Sequence, residues 1–473
     1  MKKNVCIIGA GTAGMAAAYA LREIGCEVSL IEVQQKLGGT AVNAWVETWI
    51  PGLNPPYLKE ILKRIGIDEK SITNSLLSKR FAREGKGGKN LYLPHEKLSE
   101  IYWQDMKSAK VEVLCGYTFL DAYIQDRKVK SIRVQNTIDN KDILEISASY
   151  FIDASGDGVL ATYDGILNKD YYQGEDPYNR FGEDLLSNAD LPNEVLIKQL
   201  NEPSLFFQVT ESDVENGNID STVLPLNRIS PNTAFLYNGY DNGNWVNPMT
   251  GLNISGWAVL NLSRECAYKM AVEQINNYWE FIRREVARRK RDGKPLYGYS
   301  DKVLIQRPNG VYAPMLGIRE SRRTVCDYML RQQDLAKLIR SSDLGRNIAC
   351  GSHEIDFHVY GSLTFDKVNA FNEEKLCPSG IPYDCLIPVR FDNVLVACRA
   401  YGASHIALAA RRVNKDMAQL GWAAGNAVKW CLRNLSDTQD VRKVNIIDLQ
   451  SDRYTGFASD IKYIEREILQ INK

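Results

Sequence analysis

At 473 residues the chain is too long for one compact core and divides into about two or three lobes. Lys plus Arg and Asp plus Glu each number 58, so the formal charge is zero and the basic excess of a nucleic-acid binder is missing. With 44% hydrophobic and 25% charged residues, and no apolar run near the roughly 20 residues a membrane span needs, the chain is expected to be globular and cytoplasmic. Ten cysteines stand singly with no CxxC, which argues against a disulfide framework or a zinc site.

The first segment, "MKKNVCIIGAGTAGMAAAYAL", has the basic start and apolar stretch of a secretory signal, but its glycines fall at fixed offsets and the apolar pattern continues past Arg22. "VCIIGAG" predicts a strand ending at Gly9, a helical pattern follows from Thr12 to about Gly25, and "EVSLIE" predicts the next strand. This βαβ unit carries Gly9-x-Gly11-x-x-Gly14 at its first turn and Glu32 at the end of its second strand. Gly9 allows the tight turn, Gly11 admits a pyrophosphate to the backbone, Gly14 lets helix pack on strand, and Glu32 accepts from a ribose hydroxyl. The order of strand, glycines, helix, strand and acid points to a dinucleotide site, NAD or FAD, rather than a glycine turn with only a packing role.

Further along, Gly38, Gly39 and Thr40 offer bare backbone for a cofactor extending beyond the pyrophosphate. Two strand-like runs, "VEVLCGYTFLDAYI" and "VKSIRVQN", lead to "YFIDASGDGVLATYDG", a strand ending in Asp153, Ala154, Ser155, Gly156 and Asp157. The middle region has no second GxGxxG; "SLFFQVTESDV" reads as strand, and "NLSRECAYKMAVEQINNYWEFIRREVARRKR" as one long amphipathic helix with a solvated basic face. In "GIRESRRTVCDYML", Arg319 and Arg322 share a helical face, with Glu320 and Asp327 as partners, either in an interdomain salt-bridge network or as a second anion or FAD contact. In "SHEIDFH", His353 and His358 flank Glu354 and Asp356, but strand alternation puts them on differing faces and no metal site is expected. "CLIPVRFDNVLVACRA" supplies a last strand before residues 402–412 and the helix "NKDMAQLGWAAGNAVKWCL", whose Gly421, Ala424 and Gly425 suit close packing.

"GAG" at 9–11, "GGT" at 38–40 and "IDASGDG" at 152–158 resemble the FAD-binding signatures of the glutathione-reductase-type flavoprotein fold. "LGIRESRR", "CGSHEIDFH", "IPYDCLIP" and residues 397–425 resemble the bacterial FAD-dependent oxidoreductases described as fumarate-reductase-like, from residue 4 to about 435. Ala397-Cys398-Arg399 departs from an Ala-Gly-Arg pattern, and Lys415 and Trp422 stand where proline and glutamine are usual. The resemblance implies an α/β protein: a Rossmann-like FAD domain from 1–165 and 381–435, an inserted α+β substrate or cap lobe at 166–380, and a C-terminal extension at 436–473.

It also implies that the last long helix points its N-terminus at the flavin, so that residues 402–412 lie beside the redox centre. The expected FAD contacts are Gly9, Gly11, Gly14, Glu32, Gly38, Gly39, Thr40, Ala154, Gly156, Asp157, Arg399, Gly421 and Ala424, and the FAD is expected to be held noncovalently. His405 as proton donor or acceptor, and Arg412 and Arg322 as anion anchors, are the expected catalytic residues. Hydride is expected to pass between flavin and a small polar, anionic organic substrate, with an unidentified electron acceptor or donor. Three alternatives stay open: a flavin monooxygenase or halogenase, an NAD-dependent dehydrogenase, and a non-enzymatic flavoprotein with structural or redox-sensing FAD.

Overall fold

The computed structural model describes residues 4–22, 25–67, 90–163, 171–176, 178–184, 192–213, 235–237, 244–249, 251–261, 263–294, 301–358, 365–436 and 438–471. Five apolar runs form one parallel sheet: Asn4–Ile8 (β1), Glu27–Glu32 (β2), Glu112–Cys115 (β3), Tyr150–Asp153 (β4) and Val394–Val396 (β5), in the order β5-β4-β1-β2-β3. The strands read as near-continuous hydrophobic runs because both faces of the sheet are covered. One face takes the helices Thr12–Leu21 (α1) and, far along the chain, Asn414–Asn434; the other takes a three-stranded sheet of Tyr117–Gln125, Lys128–Asn136 and Ile143–Ser147. Strand order reverses between β1 and β4, so the crevice at their carboxyl ends is the place where this topology binds ligands.

Every position of α1 is buried, and it ends at Leu21 rather than Gly25. His95–Ser108 (α2) packs under the same core through Leu98, Ile101, Tyr102 and Met106. The 28-residue helix Arg264–Arg291 (α3) lays Ala267, Ala271, Ile275, Trp279, Ile282 and Val286 on an antiparallel sheet ordered Phe235–Tyr237, Asn244–Asn247, Phe207–Glu211, Gln306–Tyr312. Its basic side chains Arg283, Arg284, Arg288 and Arg289 pair with Glu280 and Glu285 one turn away. His405–Ala410 (α4) is a short helix of its own, capped by Ser404, ahead of Asn414–Asn434 (α5).

Two expectations about local structure are corrected. Residues 317–322 are not helical: Gly317 exchanges both backbone hydrogen bonds with Ser204, at 2.7 and 3.2 Å, which consumes the groups a helix would need. Asp327 pairs with Arg442 instead of the arginines near it in sequence. Residues 352–358 are not a strand, because side-chain amides of Asn372 and Asn201 take the backbone groups of Ile355 and His358. None of the ten cysteines forms a disulfide, and among the described residues no helix is long and apolar enough to cross a membrane.

Candidate active site

A cleft of about 330 Å³ opens at the carboxyl ends of β1 and β4 and is lined by residues from both the parallel-sheet and the antiparallel-sheet regions. Its first end is the glycine turn. Gly9, at φ +96°, lies so close to the β4 turn that a Cβ would sit 2.5 Å from the Ala154 carbonyl, and Gly14 packs on Gly9 itself. Gly11 forms the N-cap of α1 with no side chain capping the helix and no acid in its first turn, and Gly11, Thr12 and Ala13 line the cleft. An uncapped helix N-terminus facing a cleft is suited to an anion. Gly38 donates its amide to the Ala10 carbonyl at 2.8 Å, and Gly39 and Thr40 line the cleft beyond it.

Glu32 lines the cleft at the end of β2, its oxygens accepting from Ala10 N at 2.7 Å and Gln34 N at 2.9 Å. Burial pushes its carboxyl up, against the pull of these amides. Asp153, fully buried, accepts from the amides of Ser155, Leu160 and Ala161, which fixes the turn presenting Ala154, Gly156 and Asp157 to the cleft. Over that turn lies Arg399: its Nη1 stands 2.6 Å from where a Gly156 Cβ would be, and its Nη2 is 2.9 Å from Asp157 Oδ1. Arg264, the first residue of α3, pairs with the second oxygen of Asp157. One carboxylate thus serves two guanidinium groups, leaving a positive surplus.

The other end of the cleft is the N-terminus of α5, where Arg412, Val413, Asn414 and Met417 line the wall. Asn414 bridges the two helix starts, 3.5 Å from Thr12 Oγ1 and 3.4 Å from the Val46 carbonyl. Arg412 donates to the Asp356 carbonyl at 3.0 Å and pairs with the Asp356 carboxylate at 3.4 Å, while its Nε is buried with no hydrogen-bond partner among the described residues. Arg319 also lines the cleft, donating to the Glu202 carbonyl at 2.7 Å. His358 lies near both arginines; burial and their charge push its imidazole down to about 4, so at neutral pH it is uncharged and hydrogen-bonded to Asp356.

Six residues expected at the cofactor or substrate do not line the cleft, Gly14 and Gly38 of the two glycine turns among them. His405 does not line the cleft: it is buried, with Nδ1 2.9 Å from Glu320 and its ring stacked on Phe357. Glu320 also pairs with Arg323, and that buried set explains a histidine among alanines. Arg322 is not a lining residue either; its guanidinium lies 5.3 Å from the ring centre of Tyr171. Gly421 and Ala424 face inward on α5 rather than into the cleft: a Cβ on Gly421 would fall 2.0 Å from the Ala13 carbonyl, so that glycine permits α1 and α5 to touch. Arg411 has a structural position as well, its guanidinium donating to Ser379 Oγ at 2.7 Å and His353 O at 3.0 Å. Glu47, Tyr92 and Arg264, by contrast, line the cleft without any sequence motif marking them. Among the described residues no group of His, Cys, Asp and Glu could hold a metal ion.

A family model for FAD-dependent oxidoreductases matches residues 4–452. The chain belongs to that family. Its cofactor is FAD, its fold is the Rossmann-like α/β fold of such flavoproteins, and it is an enzyme. A 73-residue stretch of this FAD-dependent oxidoreductase is 33% identical to an L-amino-acid oxidase of Sistrurus catenatus edwardsii, and spans 14% of this chain and 14% of that relative's length. Among solved structures, the myxobacterial chondrochloren halogenase CndH shares 13% identity at a TM-score of 0.44 over 98% of this chain and 82% of that one. A geranylgeranyl bacteriochlorophyll reductase-like protein of Thermoplasma acidophilum shares 12% at 0.40 over 99% and 88%. Likenesses this distant carry no argument about the reaction. The uncapped α1, the acid at Glu32 and the surplus of guanidinium groups fit a dinucleotide.

Lys415 in the first turn of α5 is a cost to the oxidoreductase. It is 2% exposed, its ammonium has a single 3.5 Å contact with the Gly52 carbonyl, and burial pushes it down to about 7. A base depressed in the folded state costs stability in full below about pH 7, and the cost fades as pH rises toward its ordinary value of 10.5. Lys415→Met is therefore expected to stabilise the protein by on the order of 2 kcal/mol at pH 6 and by less at pH 9, read from thermal denaturation at the two pH values.

Proposed function

We propose that the enzyme passes hydride between FAD and a small organic anion. FAD would be held along the cleft by Glu32 at its ribose and by the N-terminus of α1 at its pyrophosphate, with Asp157, Arg399 and Arg264 beside it. When bound, it supplies the two-electron acceptor or donor. The observation that carries the substrate reading is that Arg412 and Arg319 both line the cleft, with Arg412 Nε buried and without a hydrogen-bond partner among the described residues. Desolvated guanidinium groups favour an incoming carboxylate strongly, because its charge replaces water they have already lost. The positive end of α5 adds to the same field.

Noncovalent attachment is supported by the lining. Cys398 is its one cysteine among the described residues, and burial pushes that thiol up to about 12, leaving no thiolate at neutral pH. A re-oxidising partner, acceptor or donor, completes the cycle.

The test is an anaerobic flavin-bleaching screen over hydroxy acids, amino acids and enoates, each paired with its neutral ester or amide; the short likeness to an amino-acid oxidase puts amino acids on that panel. Anions are expected to bleach the flavin and neutral partners not. Arg412→Lys keeps the charge but loses the fork, so the apparent Kd should rise about tenfold to a hundredfold with FAD content unchanged. Equal bleaching by neutral compounds, or an unchanged Kd, would overturn the anion assignment. Oxygen uptake that requires NAD(P)H, with no anaerobic reduction by any substrate, would point to the monooxygenase alternative.

A further inference from the structure

The cleft that the arginines line also holds a second ionisable set. A two-stranded ribbon pairs Thr48 with Tyr92 and Trp49 with Leu91, which brings Glu47 and Tyr92, 45 positions apart, to one spot on the lining. The Tyr92 hydroxyl donates to Glu47 Oε2. The other oxygen, Oε1, accepts from the His95 amide at 2.8 Å and stands 2.6 Å from His95 Nδ1. Opposite a carboxylate, Nδ1 carries the hydrogen. The Trp45 ring lies 5.5 Å from the imidazole and 4.1 Å from the Trp245 ring, so apolar cover holds the histidine in place. Phenol, carboxylate and imidazole form an unbroken hydrogen-bonded chain with its Tyr92 and Glu47 end in the cleft and His95 behind.

We infer that Tyr92 and Glu47 are the acid–base pair of the reaction and that His95 is a positioning residue that orients the carboxylate and steadies its charge. The inference rests on the hydride reading above and narrows the substrate to an organic anion with a hydroxyl or amino group on the carbon that loses hydride. When such a C–H bond gives up its hydrogen with both electrons to FAD, the neighbouring O–H or N–H bond must release a proton as the C=O or C=N bond forms. That proton passes to the Tyr92 oxygen while the Tyr92 proton moves to Glu47, and the reverse reaction returns it. Proton, electron pair and new double bond are all accounted for.

A purely structural role is the competing explanation, because the Glu47 carboxylate also caps the N-terminus of α2 through the His95 amide. Glu47→Gln and Tyr92→Phe in the holoenzyme separate the two. With the compound that bleaches the flavin, both variants are expected to slow anaerobic flavin reduction by about 10²- to 10⁴-fold at unchanged FAD content. His95→Asn should move the pH profile of that rate. A readout independent of turnover is the His95 ring proton in ¹⁵N-histidine-labelled protein, assigned by its loss in His95→Asn. With the phenol donor gone in Tyr92→Phe, the carboxylate leans harder on Nδ1–H, whose signal should shift downfield. Variants that reduce flavin at the wild-type rate and pH profile, losing only thermal stability, would overturn the inference, as would a ring signal that Tyr92→Phe does not move. Should no anion bleach the flavin, the hydride reading fails separately, and the ring signal alone decides whether the chain is coupled.

Discussion

Gly11→Val is expected to fold and to purify without flavin, whereas Gly14→Val is expected not to fold at all. The two glycines belong to one motif but do different things. A Cβ on Gly11 meets nothing nearer than Gly39 Cα at 3.8 Å, so a valine there fits the protein and fills the cleft in front of α1. A Cβ on Gly14 would lie 1.8 Å from the Gly9 carbonyl oxygen and 3.2 Å from Ala154 Cβ, both parts of a rigid turn. Helix α1 would have to leave β1 and β4, at a cost above about 4 kcal/mol. Flavin absorbance per mole of protein and far-ultraviolet circular dichroism check the pair. A Gly11→Val protein with full flavin content would break the assignment of this turn to the pyrophosphate.

Glu320→Ala should unfold the protein at lower temperature by the equivalent of about 3–5 kcal/mol, the usual cost of removing one partner from a buried ionic set. Glu320 is 1% exposed and serves Arg323, His405 Nδ1 at 2.9 Å, and both the amide and the side chain of Asn201 at 2.9 and 2.7 Å. Burial alone would raise its carboxyl; the charges of His405 and Arg323 and the hydrogen bonds outweigh burial and hold it at about 2. An acid depressed in the folded state contributes stability that is fully present above about pH 4.5 and is lost as pH falls toward 2. Acid denaturation of the wild type should therefore show a loss of about 3 kcal/mol across that window that is absent from Glu320→Ala. Coincident acid profiles would show that the carboxylate is not held as described.

The glycine-turn end of the cleft is legible in the amino-acid sequence because its determinants are local. Gly9, Gly11, Gly14 and Glu32 act within one βαβ unit, where a turn conformation and a strand length place them regardless of what the rest of the chain does. Asp157 is legible for the same reason, sitting at a strand end whose own Asp153 folds the turn. Residues 402–412 look in sequence like one group of charges beside the redox centre, and tertiary structure divides them. Arg412 faces the cleft, Arg411 ties down the Ser379 and His353 segments, and His405 belongs to Glu320. Those partners lie 85 and fewer positions away in sequence, and no spacing rule specifies which of three neighbouring charges finds which.

The same limit hides Glu47, Tyr92 and His95. Each is an ordinary polar residue in its own segment, and they meet only because a two-residue ribbon sets their register. What the sequence by itself determined is the FAD-type fold and the glycine turn that opens on the cleft, since periodicity and backbone freedom act over a few residues. What only the tertiary structure decided is which buried charges face the cleft and which are spent on each other. The reason is desolvation: a charge taken out of water must be matched by whatever the fold brings within about 3 Å, and that partner is selected by packing across the whole chain.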